Sequence, residues 1–192
     1  PEGDAPECVA PIRPLIAPFS VEAVRKPVQA SMSAVSPGPS GWTDELVHDM
    51  LEDDENAAAY AILMSNIANG HVGNELAAYL TQARLVGSPK PGGVRPVTMG
   101  ETFVKHATAL AANTDEVKQE LAAAFGDLQF GVFRPNGAET IVHRVRAFAR
   151  RARPGQVIVT LELRNAFNCP HRQDMWEAVV KRCPHLQGLF DL

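Results

Sequence analysis

The stretch from Gln156 to Leu163, reading Q-V-I-V-T-L-E-L, limits what this chain can fold into more than any other. Val157, Ile158, Val159, Thr160 and Leu161 form an unbroken apolar and β-branched run, and Pro154-Gly155 ahead of them supplies a turn, so the run reads as a buried strand. A carboxylate, Glu162, then stands at its end. An unpaired carboxylate in such a place either costs several kcal/mol to bury or takes up a proton. Metal binding is the reading that gives the acid a reason to be there. Most of the remaining sequence carries helical periodicity, so the expected fold class is α+β.

A chain of 192 residues can bury one core, or one domain with an ordered tail. No apolar run approaches the roughly 20 residues that a membrane-spanning helix needs, so no membrane span is expected. The net charge of -4 argues against nucleic-acid binding by the whole surface, and any basic patch must be local. Cys8, Cys169 and Cys183 are odd in number and lack C-x-x-C spacing, which favours free thiols over a disulfide framework or a zinc site. The chain begins at Pro1 without a basic-then-apolar leader, and so reads as a processed or partial product.

Prolines at positions 6, 11, 14, 18, 27, 37 and 39 block helix interiors and central strands, so residues 1–36 are expected to be extended. Val9, Ile12, Leu15, Ile16, Phe19 and Val21 are apolar enough to lie along a surface, with a disordered tail as the alternative of equal weight. Within this segment, Ser20 to Ala34 has room for a short helix broken at Pro27. Thr43 then caps a helix with Asp44 and Glu45 in its first turn and Leu46, Val47, Met50 and Leu51 on its apolar face. A second helix runs from Glu55 to Ile67 with Asn69-Gly70 as its stop, and a third carries Leu76, Ala77, Leu80 and Ala83. The acidic run Glu52-Asp53-Asp54-Glu55 reads as a solvated helix junction rather than a metal site.

Two short runs flank Pro91-Gly92-Gly93, which has hairpin-loop chemistry, and bring Arg84, Lys90 and Arg95 around one turn. Convergent cations suit phosphates, Arg through paired bonds and Lys as a point charge; a solvent-facing basic hairpin is the alternative. Amphipathic helices are expected over 102–112 and 115–125, with Thr114 as a cap. A further helix over 137–152 leads into the densest positive charge in the chain, Arg144, Arg146, Arg150, Arg151 and Arg153, with Ile141, Val145, Phe148 and Ala149 marking its buried face. These arginines suit either a nucleic-acid backbone or plain solvent. A last helix, 172–182, carries Met175, Trp176, Val179 and Val180.

Gly38-Pro39-Ser40-Gly41-Trp42-Thr43, then Ala83-Arg84-Leu85-Val86 with Lys90, Gly92-Gly93, Arg95-Pro96-Val97 and Gly100-Glu101, resemble successive finger motifs of reverse transcriptases of the non-LTR retrotransposon type. Gln129-Phe130-Gly131-Val132, Gly137-Ala138-Glu139 and His143-Arg144-Val145-Arg146 resemble the family's insertion before the palm strand, and Arg164-Asn165-Ala166-Phe167-Asn168 follows in the right order. The resemblance implies a helix-rich fingers-like domain over 37–155 with a short β-hairpin, and the beginning of a palm over 156–192, behind an extended Pro-rich segment, 1–36. By the same resemblance Lys90 and Arg95 face a nucleotide's phosphates, Phe167 is the gate against a ribose 2′-hydroxyl, and Glu162 stands where the family has a metal-holding Asp.

Two-metal nucleotidyl transfer needs several carboxylates. The family's paired-Asp hairpin does not occur before Leu192, so one strand-end acid, and a Glu at that, is insufficient. The expectation is therefore a non-catalytic, degenerate reverse-transcriptase-like domain without metal or other cofactor. It serves as a structural or RNA-contacting component of a larger assembly with other protein subunits, in a ribonucleoprotein or organellar setting such as the mitochondrion. The alternatives are a fragment of an active RNA-directed DNA polymerase, with Mg2+ as its cofactor, and a freestanding nucleic-acid-binding module.

Overall fold

Local signals set most element boundaries. In the computed structural model, which describes residues 13–30, 36–131, 135–163 and 169–192, the order is α1 (Val21–Ala30), α2 (Asp44–Met50), α3 (Asp54–Ala68), α4 (Asn74–Leu80), β1 (Ala83–Lys90), β2 (Gly93–Gly100), α5 (Thr102–Ala112), α6 (Asp115–Phe125), α7 (Gly137–Arg151), α8 (Arg172–Arg182) and α9 (Gln187–Phe190). The class is α+β, with a two-stranded antiparallel sheet among the described residues. Thr43 Oγ1 accepts from the Leu46 amide at 3.2 Å and starts α2, as the sequence predicts. Asp53, inside the acidic run, caps α3 by accepting from the Asn56 amide at 2.9 Å, so that run is a helix junction. Thr114 caps α6 in the same way. The third helix stops at Leu80, and Ala83 already opens β1.

α3 is the centre of the core. Ala57, Tyr60, Ala61, Met64 and Ile67 from α3 meet Val24 of α1, Val47 and Leu51 around α2, Leu80 of α4, and Ala107 and Leu110 of α5. Ile16, Ala68, Ala111 and Val117 form a second, smaller cluster against Leu121, Leu186 and Leu189. The segment 13–20 is neither helix nor strand and docks on the end of α3 through its backbone. The Asn69 side chain takes the place of a neighbouring strand: its Oδ1 accepts from the Ile16 amide at 2.9 Å and its Nδ2 donates to the Ile16 carbonyl at 3.0 Å. The Phe19 amide donates to Ser65 Oγ at 2.9 Å. A segment without helix or sheet thus still satisfies its buried backbone at Ile16.

A helix does form within Ser20 to Ala34, in place of extended chain over Val21–Ala30, but it is not broken at Pro27. α1 runs on past position 27, although proline there forgoes a backbone hydrogen bond. The helix is held by tertiary packing: Val24 is buried in the main cluster, Ser20 Oγ accepts from the Ala23 amide, and Arg25 donates to the Leu51 carbonyl at 2.9 Å. Val9, Ile12 and Cys8 lie outside the described residues.

Two further corrections share one cause. The run Val157–Leu161, expected as a buried strand, has no ladder partner among the described residues, and its large apolar side chains are 53% to 83% exposed. The α7 face expected to be buried is open as well, with Ile141, Val145 and Phe148 at 37% to 45% and Ala149 exposed. A strand needs a neighbour along its edge and an amphipathic helix needs a second layer, and the described residues supply neither here.

The C-terminal elements return to α3. Gly188 of α9 lies so close to the end of α3 that a Cβ on it would fall 2.5 Å from the Asn69 carbonyl carbon. Arg13 spans this junction, donating to the Asn69 carbonyl at 2.6 Å and pairing with Asp191, which also accepts from Trp176 Nε1 at 3.1 Å.

Candidate functional site

β1 and β2 pair with Ser88 opposite Arg95, Lys90 opposite Gly93 and Arg84 opposite Met99. Gly92 closes the turn after Pro91 at φ 79°, a conformation that side-chain-bearing residues rarely adopt. Because side chains alternate across a strand, this register puts Arg84, Val86, Ser88 and Lys90 on the same face as Arg95, Val97 and Met99. Lys90 and Arg95 are diagonal neighbours, with Cβ atoms roughly 7–8 Å apart in such a ladder. Arg84 shares the face but sits about 13 Å from Arg95 along the strand, at ~3.3 Å per residue. The hairpin therefore groups two of the three cations and leaves the third near its foot. It stands out as an arm, exposed on both faces along nearly its whole length.

The foot of the arm is buried and polar. Glu101, fully buried, accepts from the amide of Ser40 at 2.8 Å and from its hydroxyl. Thr102 Oγ1 donates to the Trp42 carbonyl at 2.6 Å. Trp42 leans on Phe103, and Phe103 on Tyr60, at centroid distances of 5.5 and 6.0 Å. Tyr60 OH lies 2.6 Å from His106 Nδ1, and His106 Nε2 lies 3.0 Å from Asp44 Oδ1. A neutral imidazole protonated at Nε2 satisfies this chain: Tyr60 donates to Nδ1, and Nε2–H donates to Asp44. Burial pushes the His106 pKa down against the upward pull of Asp44. Burial, reinforced by the Asp44 charge, pushes the Tyr60 pKa up. With all three side chains buried, the arrangement fastens α2, α3 and α5 to one another and offers a substrate no access.

Sequence reasoning missed this relay. Asp44 reads locally as a first-turn acid, and its partner His106 lies 62 positions away. In sequence Glu101 is only the end of a Gly-Glu motif, and a Glu just before a helix gives no hint that it is buried.

On α7, at ~100° per residue, the apolar stripe of Ile141, Val142, Val145 and Phe148 is bordered by Arg144 and Arg151 on one side and by Arg146 and Arg150 on the other. Arg144 also covers the Phe130 ring, with Cζ 4.6 Å from its centroid. Arg153 follows the helix, its amide bonded to Gln156 Oε1 at 2.8 Å.

Glu162 is exposed, and among the described residues no three His, Cys, Asp or Glu side chains gather as metal ligands. The described residues thus do not fit a divalent-ion centre. Phe167 lies outside the described residues. Cys169 and Cys183 are free thiols, one exposed and one buried. His185 Nδ1 meets Glu120 Oε1 at 2.6 Å and ties the turn before α9 to α6. A cavity of about 340 Å³ between α4 and the C-terminal residues is lined by Gly70, Val72, Asn74, Ala77, Ala78, Asp191 and Leu192.

No family model matches the sequence, and no solved structure matches it. Over 170 residues, 87% of this chain, it is 27% identical to the retrotransposable element SLACS 132 kDa protein of Trypanosoma brucei gambiense, of whose length it spans 14%. For most of its length, then, the chain is similar to one portion of a retrotransposon protein.

Proposed function

We propose that this chain is a reverse-transcriptase-like, fingers-type domain that contacts RNA as a non-catalytic part of a larger assembly. The observation that carries the reading is the arm, whose register gathers Lys90 and Arg95, with Arg84 behind them, on one exposed face. Similarity to a retrotransposon protein supports it, as does the order of the motifs from Gly38 to Asn168. The α7 arginines add a second basic surface in a chain that is otherwise acidic. A single exposed carboxylate at Glu162 cannot bridge nucleophile, leaving group and phosphate through two ions.

The test is titration of a fluorescent single-stranded RNA across a salt series. Affinity is expected to fall steeply with salt. Lys90→Ala and Arg95→Ala should each weaken binding to all sequences alike and reduce the log–log slope by about 0.7. Salt-independent binding, or none at low salt, removes the reading. Nucleoside triphosphates should show no saturable binding, and neither this chain nor its Glu162→Asp version should extend a primer with magnesium or manganese.

The small share of the SLACS protein that the chain spans favours a second reading, in which it is one piece of an active RNA-directed DNA polymerase. Template-dependent extension would install that reading. So would coding sequence that continues beyond Leu192 into a paired-Asp motif.

A further inference from the structure

The segment 13–20 meets the end of α3 through every third residue. Arg13 is half-buried, Ile16 buried and Phe19 half-buried, while Pro14, Leu15, Ala17 and Pro18 between them are exposed. Three residues is the repeat of a polyproline-type ligand, and two prolines in the segment suit that spacing. Ile16 enters the smaller cluster beside Ala68, Ala111 and Val117, Phe19 packs against both clusters, and Arg13 bonds to Asp191 and to the Asn69 carbonyl. The groups that receive this segment are oriented by bonds of their own. Asn69 Nδ2 also donates to the Ser65 carbonyl at 2.9 Å, and Ser65 Oγ donates to the Ala61 carbonyl at 2.7 Å. Both bonds lie at the end of α3 and do not involve the segment; they aim Asn69 Oδ1 at the Ile16 amide and leave Ser65 Oγ a lone pair for the Phe19 amide. Asp191 is held for Arg13 by Trp176 Nε1 at 3.1 Å and Gln187 Nε2 at 3.4 Å.

We propose that the end of α3 is a peptide-recognition site for segments of the pattern Arg-x-x-Ile-x-x-Phe, filled in cis by residues 13–20, which act as a releasable strap. Asn69 and Ser65 bond only to backbone groups of the strap and so accept any residue that has an amide there. Selectivity falls to the three inward side chains: the Arg13 guanidinium between Asp191 and the Asn69 carbonyl, the branched Ile16 in its pocket, and the Phe19 ring. Because the receiving groups are held in place by α3 and the C-terminal elements themselves, the site is pre-organised and loses little by standing open. Release uncovers one buried and two half-buried side chains, while Tyr60, Met64 and Ile67 keep α3 in the main cluster, so the strap can leave without unfolding the helix. Tethering gives the strap a high effective concentration at the site, which an unattached peptide of the same pattern must exceed to displace it. RNA contact by the arm is not required for any of this.

The experiment uses the whole chain and a defined probe, the blocked fluorescent peptide Arg-Pro-Leu-Ile-Ala-Pro-Phe-Ser, its binding followed by anisotropy. In the chain, Ile16→Asp disarms the strap and leaves every receiving group intact. Saturable binding to this variant is expected, about tenfold or more tighter than to the native chain, whose own strap competes. Methylating the peptide's isoleucine nitrogen, which removes the donor to Asn69, should abolish binding, and alanine for its arginine should weaken binding about fivefold. Serine for its leucine, an exposed position, should change binding less than twofold. No saturable binding to a folded Ile16→Asp chain overturns the proposal, as does equal loss from the leucine and isoleucine changes. The native chain decides the matter without any variant. Its Ile16 and Phe19 amides should exchange with solvent at least tenfold faster than those of α3, as read by NMR, and faster still with excess peptide. Exchange at the rate of α3 means that the segment leaves only when the fold does, and overturns the strap. A strap exchanged between two copies, seen as a dimer in sedimentation, overturns the assignment in cis.

Discussion

His106 owes its behaviour to being buried between a donor and an acceptor. Its pKa is lowered in the folded chain, so the unfolded chain takes up the proton first as pH falls. The stability this represents is complete above the unfolded value near 6.5 and drains away below it, until the folded histidine also protonates. Thermal unfolding should therefore move to lower temperature as pH drops from 7 toward about 5, and more steeply than in a His106→Gln variant, whose amide does not titrate in that range. An identical pH slope in the two proteins would rule this out. Tyr60→Phe strips Nδ1 of its donor inside the core and should cost about 1–3 kcal/mol in denaturant unfolding. None of this was legible in the sequence, because each partner has an ordinary local explanation and the bonds span 46 and 62 positions. Caps such as Thr43 and Thr114 were legible, since a cap and the amide it accepts from lie three residues apart.

Among the elements, the arm is the one whose stability rests most on its own sequence. A lone two-stranded hairpin is marginal in water. Amides of β1 and β2 should accordingly exchange with solvent far faster than those of α3, as read by hydrogen-exchange mass spectrometry. Gly92→Ala forces a side chain into a left-handed turn position at a cost of roughly 1–2 kcal/mol. It should raise arm exchange further and leave the exchange of α3 and α5 unchanged; a matching loss of protection in α3 would show that the arm is part of the core. The hairpin could be read from sequence because its turn and alternation are local. The continuation of α1 past Pro27 could not, because its anchor is the burial of Val24 against other helices. The composition of 157–161 reads as a buried strand, yet burial depends on a neighbour that composition cannot provide.

For the molecule as a whole, the decisive junction is the end of α3, where the first and last described segments meet. Asn69→Ala would leave both backbone groups of Ile16 unpaired, along with the loss of a bond to the Ser65 carbonyl, and should destabilise the chain by about 2–4 kcal/mol. Gly188→Ala must push α9 off the Asn69 backbone. It should release both α9 and the 13–20 segment to protease while leaving the arm's exchange unaltered, and cleavage of only one of the two segments would refute their coupling. A double-mutant cycle on Arg13 and Asp191 should return a coupling of about 1 kcal/mol, modest because the pair is only partly buried. The burial of Glu101 bears on the arm in another way. With its foot clamped by Ser40 and Thr102, the arm is a lever on a stiff bearing, reaching about 26 Å at ~3.3 Å per residue, so that a tilt of about 10° at the foot carries Lys90 through roughly 4–5 Å. Small adjustments in the packing around Glu101 would thus be geared up into large displacements of charge at the tip.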